Sequence, residues 1–249
     1  MTDKQIMQKV LSPMRRAIQD FDMIQDGDNI FVGLSGGKDS ILLLTALANY
    51  RIFSPEKFTL QAITINPGKF LDEKELENMS KHCDSLSVPL HIVDTDIGEI
   101  IFDVRQETNP CSLCAKMRRG ALNDKINSLG GGKLALAHNA DDVAETFIMS
   151  LVYEGRINCF EPKAHMSRAN VTMIRPFIYL LEKDIVYAVN KLELPIVTNH
   201  CPANKHSQRE WAKDFIKKLD KEVPNAKQNI LGAIYNPDRA KLWDKNKKD

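Results

Sequence analysis

One short stretch of the chain has the composition of a phosphate-binding turn. Residues 35–40 read Ser-Gly-Gly-Lys-Asp-Ser, between an apolar run that ends at Leu34 and another that covers residues 41–44. This order predicts a buried strand, a tight turn and the start of a helix. Backbone amides in the first turn of a helix lack acceptors within it and lie at the positive end of its dipole. Since the glycines also allow close approach of the backbone, the stretch predicts binding of an anion such as a phosphate.

The stretch does not match the P-loop of kinases and GTPases. That motif has a glycine five positions before its second glycine, and a serine or threonine directly after the lysine. Val32 and Asp39 occupy these two positions here. The hexapeptide instead resembles the signature of the PP-loop ATP pyrophosphatases. The resemblance implies that the loop grips the pyrophosphate end of ATP, giving an AMP-activated substrate and pyrophosphate. The alternative is a glycine-rich turn in some other α/β domain.

A second polar cluster, residues 138–146, reads His-Asn-Ala-Asp-Asp-Val-Ala-Glu-Thr and lies where a predicted strand is followed by a helix. Acids in the first turn of a helix can simply cap it and complement its dipole. The carboxyl ends of parallel strands also share one sheet edge, where an ATP site needs a Mg²⁺ ligand or a base. We expect Asp141 to help activate the base or hold the ion, and Asp142 to cap the helix.

Two cysteines, Cys111 and Cys114, lie at the start of a predicted helical segment, residues 115–129. Their spacing lets both sulfurs reach one metal, and a helix N-terminus favours the thiolate form. Cys201 follows about ninety residues later, after the apolar residues 195–197. Three thiolates at one site would hold three irons of a [4Fe–4S] cluster and leave the fourth iron without a protein ligand.

Other interpretations of the cysteines remain open. A zinc site could take His200 or His206 as its fourth ligand, and Cys201 could be an unrelated buried residue. Cys83 and Cys159 are expected to be ordinary core cysteines. An odd number of cysteines in a long chain without an export signal makes a disulfide scaffold a poor interpretation.

Apolar runs that alternate with helical patterns predict an α/β fold, with a doubly wound, mostly parallel sheet and a helical C-terminal segment. Ile65, at the end of the second strand, is expected to meet the nucleotide base. The predicted domains are an N-terminal helical segment at residues 1–26, interrupted at Pro13, an ATP-binding catalytic domain at 27–180 and a helical segment at 181–249. The predicted strands are residues 30–34, 58–66, 89–94, 133–139 and 171–176.

The bulk composition excludes several classes of protein. No apolar run approaches membrane-spanning length, so no membrane partner is expected. Residues 1–20 are polar and charge-mixed, unlike a signal peptide, and a cytoplasmic protein is expected. The net charge of +1 gives no global electrostatic argument for nucleic-acid binding, so any RNA surface must be local.

One predicted C-terminal helix offers such a local surface. Arg209, Lys213 and Lys217 recur at helical spacing and could contact RNA phosphates, or form a solvated face balanced by nearby acids. Three apolar residues of the same segment are expected to face the core: Trp211, Phe215 and Leu219.

Several segments together resemble the tRNA 2-thiolation enzymes of the TtcA and TtuA type, within the PP-loop superfamily. Besides the loop and residues 138–146, they are Cys-Ser-Leu-Cys at 111–114 with Met-Arg-Arg-Gly-Ala-Leu close behind, Ile-Arg-Pro at 174–176 and Glu-Lys-Asp-Ile at 182–185. The similarity covers roughly residues 10–215. It implies an ATP- and Mg²⁺-dependent sulfurtransferase that adenylates the 2-oxo group of a tRNA pyrimidine and replaces it with sulfur.

The resemblance also implies partners and residue roles. The partners are tRNA and a sulfur donor, either a cysteine desulfurase or sulfide, and family precedent suggests a homodimer. The [4Fe–4S] cluster would be held by Cys111, Cys114 and Cys201, which are expected to be catalytic together with Asp39 and Asp141. The residues expected to bind ATP are Leu34, Ser35, Gly36, Gly37, Lys38, Asp39, Ser40, Ile65 and His138.

Two features bear on which base is thiolated. The TtcA type usually has His-His where this chain has His138-Asn139, and a later Cys-x-x-Cys where this chain has Cys201-Pro202. Both features are nearer the uridine-modifying TtuA type, whose terminal zinc ribbons need more cysteines than this chain contains. Size and the Cys-Ser-Leu-Cys context favour the TtcA family and an anticodon-loop cytidine. The alternatives are 2-thiouridine synthesis, a cluster-free ligase resembling lysidine synthetase, and a non-catalytic RNA-binding module with structural zinc.

Overall fold

A single mixed sheet organises the computed structural model, which describes residues 1–68, 72–105, 110–197 and 208–242. Its strands are β1 Asn29–Gly33, β2 Thr59–Asn66, β3 Leu90–Asp94, β4 Lys133–Ala135, β5 Lys163–Met166 and β6 Val171–Ile174. They lie in the order β3-β2-β1-β4-β6-β5. Neighbouring strands are parallel except for β5, which runs antiparallel to β6.

The α-helices alternate with these strands and then continue alone toward the C-terminus. They are α1 Asp3–Asp20, α2 Lys38–Phe53, α3 Glu73–Ser85, α4 Ile97–Glu99, α5 Pro110–Ser128, α6 Ala140–Glu154, α7 Glu182–Lys191, α8 Gln208–Glu222 and α9 Ala226–Tyr235. A π-helical turn spans Ile100–Val104, and a 3₁₀ turn spans Pro237–Arg239. The predicted α/β fold with a mostly parallel sheet and a helical C-terminal segment is confirmed.

The elements fall into two compact groups. The first contains the six strands with α1–α5 and α7, within the described parts of residues 1–139 and 161–197. The second contains α6, α8 and α9, within residues 140–160 and 208–242. The domain boundaries expected after residues 26 and 180 stay predictions.

Helix α2, which follows the glycine-rich loop, is buried on all sides over residues 40–48 and exposed at its end, at Ile52 and Phe53. The four consecutive residues 41–44 are fully buried, although successive residues of a helix face different directions. Helix α2 contacts α1, α7, β1 and β2. The helix whose first turn belongs to the loop is therefore fixed by packing around its whole circumference.

The other face of the sheet carries a second apolar cluster. Phe31 of β1, Ile63 of β2 and Leu134 of β4 pack there against Ile126 of α5. Side chains alternate across a strand, so the neighbours of Phe31 along β1 face the opposite side. Helix α5 is thereby attached to the same central strands that carry the loop.

The prediction that Pro13 interrupts the first helix is wrong. Helix α1 runs through Pro13, although a proline inside a helix costs about 3 kcal/mol by removing a hydrogen bond and crowding the preceding turn. Residues on both sides of it, including Val10, Met14 and Ile18, are buried on one face of α1. Their burial outweighs the local cost of the proline.

Two strand predictions also need correction. Strand β4 covers residues 133–135 only, because the chain leaves the ladder after the hydrogen bond from Leu136 N–H to the carbonyl of Ile174. Strand β5 was not predicted, because Lys-Ala-His-Met has neither an apolar run nor clear alternation. It is held instead by antiparallel pairing at the sheet edge.

Among the described helices, none combines the length and the apolar character needed to cross a bilayer.

Burial along α2 predicts very different costs for two truncations in that helix. Leu43→Ala removes a fully buried side chain and is expected to lower the free energy of unfolding by about 2–5 kcal/mol. Ile52→Ala, at an exposed position of α2, is the matched control and should cost less than about 0.5 kcal/mol. Urea unfolding followed by circular dichroism measures both. Equal costs would contradict the central position of α2.

Candidate functional site

The loop begins where β1 ends, and its first residue is tied to the neighbouring strand. Leu34 N–H donates to the carbonyl of Ile63 at 2.8 Å, and the hydroxyl of Thr64 donates to the carbonyl of Leu34 at 2.9 Å. Both backbone groups of Leu34 are therefore held by β2. The sheet thus determines the position from which the loop turns.

The two serines at the ends of the hexapeptide close the loop on itself. The hydroxyls of Ser35 and Ser40 lie 3.0 Å apart, and Ser40 Oγ accepts from the N–H of Ser35 at 3.2 Å. Ser40 Oγ also lies 3.0 Å from the carbonyl of Gly37, to which it donates. These contacts shape the loop above the first turn of α2, whose amides have no acceptors within the helix. That turn is the anion-binding feature predicted from the sequence.

Gly36 has a backbone conformation and a close neighbour that exclude a side chain. Its φ is +79°, and a Cβ built on it would lie 2.6 Å from Cβ of Val197 and 3.2 Å from Sδ of Met79. Val197 N–H also donates to the carbonyl of Gly36 at 2.9 Å. The loop is therefore packed from outside by Met79 of α3 and by Val197, which follows α7.

Lys38 and Asp39 are held in a polar network that joins the loop to two other segments. Lys38 Nζ lies 2.9 Å from Oδ2 of Asp39 and 3.1 Å from Oε1 of Glu182, in the first turn of α7. Burial alone would lower the pKa of Lys38, but the hydrogen bonds and charges of Asp39 and Glu182 outweigh it and raise that pKa. The amide of buried Asn139 donates to Oδ1 of Asp39 at 3.1 Å. Lys38 is therefore a permanent positive charge beside the loop.

Sequence reasoning had assigned no role to Glu182 or Asn139. Both lie in segments that resemble the family, so a signal existed, but it did not reveal their contacts. His138 has a similar support, because the buried Arg175 donates from Nε to His138 Nδ1 at 3.2 Å. This contact leaves the hydrogen of a neutral His138 ring on Nε2.

Ile65 lies at the carboxyl end of β2 with its side chain buried in the apolar cluster. A contact with the nucleotide base would therefore involve its backbone, and it stays a prediction. The neighbouring Asn66 donates from its amide to Oδ1 of Asp94 at 2.8 Å. This bond links the ends of β2 and β3 at the edge where the loop also lies.

Cys111 and Cys114 both lie in the first turns of α5, which begins at Pro110, five residues earlier than predicted. Cys111 is exposed, whereas Cys114 is half-buried against the apolar cluster. Leu122 of the same helix lies beside Gly33, the last residue of β1. Cys114 precedes Leu122 by eight residues, or about 12 Å of helix.

The direction of α5 determines which edge of the sheet its first turns reach. Helix α5 connects the parallel strands β3 and β4, so it runs opposite to them. Its first turns therefore extend past the carboxyl ends of the strands, the edge that carries the loop. Cys201, His200 and His206 lie outside the described residues. Within the part of the chain that the structure describes, no group of three or more His, Cys, Asp or Glu side chains is arranged to hold a metal.

The acids of α6 are paired with cations from the other two helices of the second group. Lys227 Nζ of α9 lies 2.6 Å from Oδ1 of Asp141, and Arg209 Nη1 of α8 lies 2.6 Å from Oδ1 of Asp142. Arg209 is also 3.6 Å from Glu145. Burial and the charge of Asp142 raise the pKa of Glu145 to about 7, against the opposing charge of Arg209.

The expected orientation of α8 is wrong. Trp211 and Phe215 do not face a core, since 40% and 39% of their surfaces are exposed. Ala212 and Ile216 are buried instead. Helix α8 packs against α6, and Trp211 lies at the rim of this contact, where it meets Tyr153 of α6 edge to face with ring centroids 5.3 Å apart. There Trp211 stacks on Phe215, with ring centroids 5.4 Å apart.

Cys83 is a core residue, as expected, and no chemistry is assigned to it. It is fully buried, and burial together with the charge of Asp84 raises the pKa of its thiol to about 11. A thiol with so high a pKa stays protonated at neutral pH. Cys159, which is partly buried, lies in the second group.

Comparison with known proteins identifies the family of this chain. A family model described as a PP-loop domain matches residues 5–219. The tRNA-cytidine(32) 2-sulfurtransferase of Pelobacter propionicus is 33% identical over 98% of this chain and 91% of its own length. The enzyme of the same name from Alcanivorax borkumensis is 34% identical over 96% of this chain and 84% of its own length.

A solved structure shares the fold. The U34-tRNA thiolase NcsA from Methanococcus maripaludis, with its [4Fe-4S] cluster, matches with a TM-score of 0.76 and 24% identity over 98% of this chain and 82% of that chain. The resemblance to PP-loop tRNA 2-thiolation enzymes predicted from the sequence is confirmed by the family model and the relatives. This chain belongs to the PP-loop family of ATP-using enzymes and, within it, to the tRNA-cytidine(32) 2-sulfurtransferase family.

Proposed function

We propose that this enzyme activates the 2-oxo group of cytidine 32 in tRNA with ATP and replaces it with sulfur, producing 2-thiocytidine. The names of the relatives support the substrate. The single observation that carries the proposal is the contact between Gly36 of the ATP loop and Val197. Val197 precedes Cys201 by four residues, and four residues span at most about 14 Å. The contact therefore supports a common location for the nucleotide and the third cysteine.

The reaction consists of two displacements. The 2-oxo oxygen of the cytidine attacks the α-phosphorus of ATP, forming a P–O bond, and the bond to the bridging oxygen breaks so that pyrophosphate leaves. Sulfur at the oxidation level of hydrosulfide then attacks C2, the C–O bond breaks so that AMP leaves with the former cytidine oxygen, and loss of the sulfur-bound proton leaves the C=S bond. The donor itself, a cysteine desulfurase or free sulfide, and a homodimeric state stay predictions.

The residues of the loop act on the first displacement. Backbone amides at the start of α2 hold the pyrophosphate end of ATP, and the charge of Lys38 offsets the charge that develops on it. Asn139 and Glu182 keep Asp39 and Lys38 in place before ATP binds. Because these groups are oriented in advance, little reorganisation is needed during the reaction. His138 can donate from Nε2, and Asp141 is our candidate for activating the base or holding the ion.

The positions of Cys111 and Cys114 are suitable for binding a [4Fe–4S] cluster. Cys111 and Cys114 are three residues apart and so share one face of α5, and Cys114 lies against apolar side chains that limit access of water. Cys111, Cys114 and Cys201 would hold the cluster. When bound, a [4Fe–4S] cluster with three protein ligands supplies an iron that is open to sulfur. Mg²⁺ bound with ATP supplies positive charge to the phosphates.

Substitution of Gly36 tests the loop. Gly36→Ala forces a Cβ against Val197 and is expected to raise the Kd for ATP at least about 10-fold, since overpacking and strain cost about 1–3 kcal/mol. Isothermal titration calorimetry with ATP measures the change. Gly232→Ala, in an open part of α9, is the control and should leave the Kd unchanged. Equal affinities for Gly36→Ala and the parent protein would count against ATP binding at this loop.

Substitution of Cys201 tests the cluster. Cys201→Ala should lower 2-thiocytidine formation more than about 100-fold, because even residues that only support metal ligands contribute about 10–100-fold. The brown colour of anaerobically purified protein should also be lost, while ATP binding is kept. Cys159→Ser is the control and should stay brown and active. Mass spectrometry of tRNA nucleosides gives the activity, and a colourless but fully active Cys201→Ala protein would rule out the three-cysteine cluster.

A further inference from the structure

We infer that Lys227 is a positioning residue for the reaction and acts through Asp141; this inference rests on the proposed function. Lys227 lies in the first turn of α9 and Asp141 in the first turn of α6, 86 residues apart in the chain. Lys227 Nζ donates to Oδ1 of Asp141 at 2.6 Å. The contact lies wholly within the group formed by α6, α8 and α9.

The positive charge of Lys227 lies at the end of α9 where the helix dipole disfavours a cation. The N-terminus of a helix is the positive end of its dipole, so a cation in the first turn is destabilising there. The first turn of α9 contains no acidic residue of its own, and the carboxylate at its N-terminus is that of Asp220 from α8. Asp141, in contrast, is in a favourable first turn. The side chain of Lys227 is directed to the carboxylate of Asp141, away from the dipole of its own helix.

The backbone at Lys227 is held in place from both sides. Its N–H donates to Oδ1 of Asp220, near the end of α8, at 3.0 Å. Ala226 and Leu231 of α9 are buried on either side of it in sequence. A fixed backbone limits the positions that the ammonium group can reach. Lys227 can therefore hold Asp141 in one orientation.

The two ion pairs on α6 differ in exposure. The side chains of Lys227 and Asp141 are 25% and 12% exposed, whereas Arg209, the partner of Asp142, is 44% exposed. Water and salt screen the more exposed pair more strongly. The contact from Lys227 to Asp141 is therefore the less screened of the two, and it fixes the direction in which the Asp141 carboxylate points.

The test is a double-mutant cycle on 2-thiocytidine formation. Lys227→Met should lower kcat about 10-fold or more, with the KM and the Kd for ATP changed less than about twofold, because orientation and not nucleotide binding is lost. Lys227→Arg should recover most of kcat. In an Asp141→Asn background, Lys227→Met should have no further effect. Lys221→Met, which removes an exposed lysine from α8, is the matched control and should behave as the parent protein.

Several outcomes would overturn the inference. The inference fails if Lys227→Met leaves kcat unchanged or changes only KM. It also fails if Lys227→Met lowers kcat in the Asp141→Asn background as much as it does in the parent protein. If Asp141→Asn leaves no measurable activity, or Lys227→Met fails to fold, the comparison of Lys227→Arg with Lys227→Gln decides. Both should fold, and similar kcat values for them would contradict a role of the positive charge. Full activity of Asp141→Asn would instead refute the proposed role of Asp141 itself.

Discussion

The rest of the site depends on a backbone constraint at the end of β1. The chain must leave the sheet, turn within four residues and enter α2 with its first-turn amides available to an anion. Gly36 makes this possible through its positive φ, and the tight contact with Val197 keeps the turn in place. Packing of α2 on all sides holds the helix that receives the turn. The loop that is predicted to bind an anion is thus attached to a helix that is packed against four other elements.

This constraint also explains why distant segments meet the loop. Asn139, Glu182 and Val197 come from three separate places in the chain, and each contacts a loop residue. In a parallel sheet the ends of the strands and the starts of the helices share one edge, so each connection can contribute a residue. The first turns of α5, with Cys111 and Cys114, extend past that same edge. The second group adds its own arrangement, in which α8 and α9 supply the cations for the acids of α6.

Features with a local cause could be predicted from the sequence. Short patterns of glycine, apolar and acidic residues predict three such features. They are the glycine-rich loop, the alternation of parallel strands with helices, and the acidic first turn of α6. Contacts between distant residues left no such pattern: nothing in the sequence near Glu182 or Lys227 indicates a partner in the loop or in α6. The orientation of α8 was mistaken for a related reason. Ala212 and Trp211 are neighbours, and only the close packing of α6 decides which of them is buried.

The central claim is that the loop directs the α-phosphorus of ATP to the oxygen at C2 of the cytidine. It is tested most directly by following that oxygen, using tRNA whose cytidine 32 carries ¹⁸O at C2. Mass spectrometry of the nucleotides released during thiolation then locates the label. The account predicts one ¹⁸O in AMP for each 2-thiocytidine formed, and none in pyrophosphate. Label released into water, or thiolation without conversion of ATP to AMP, would contradict it.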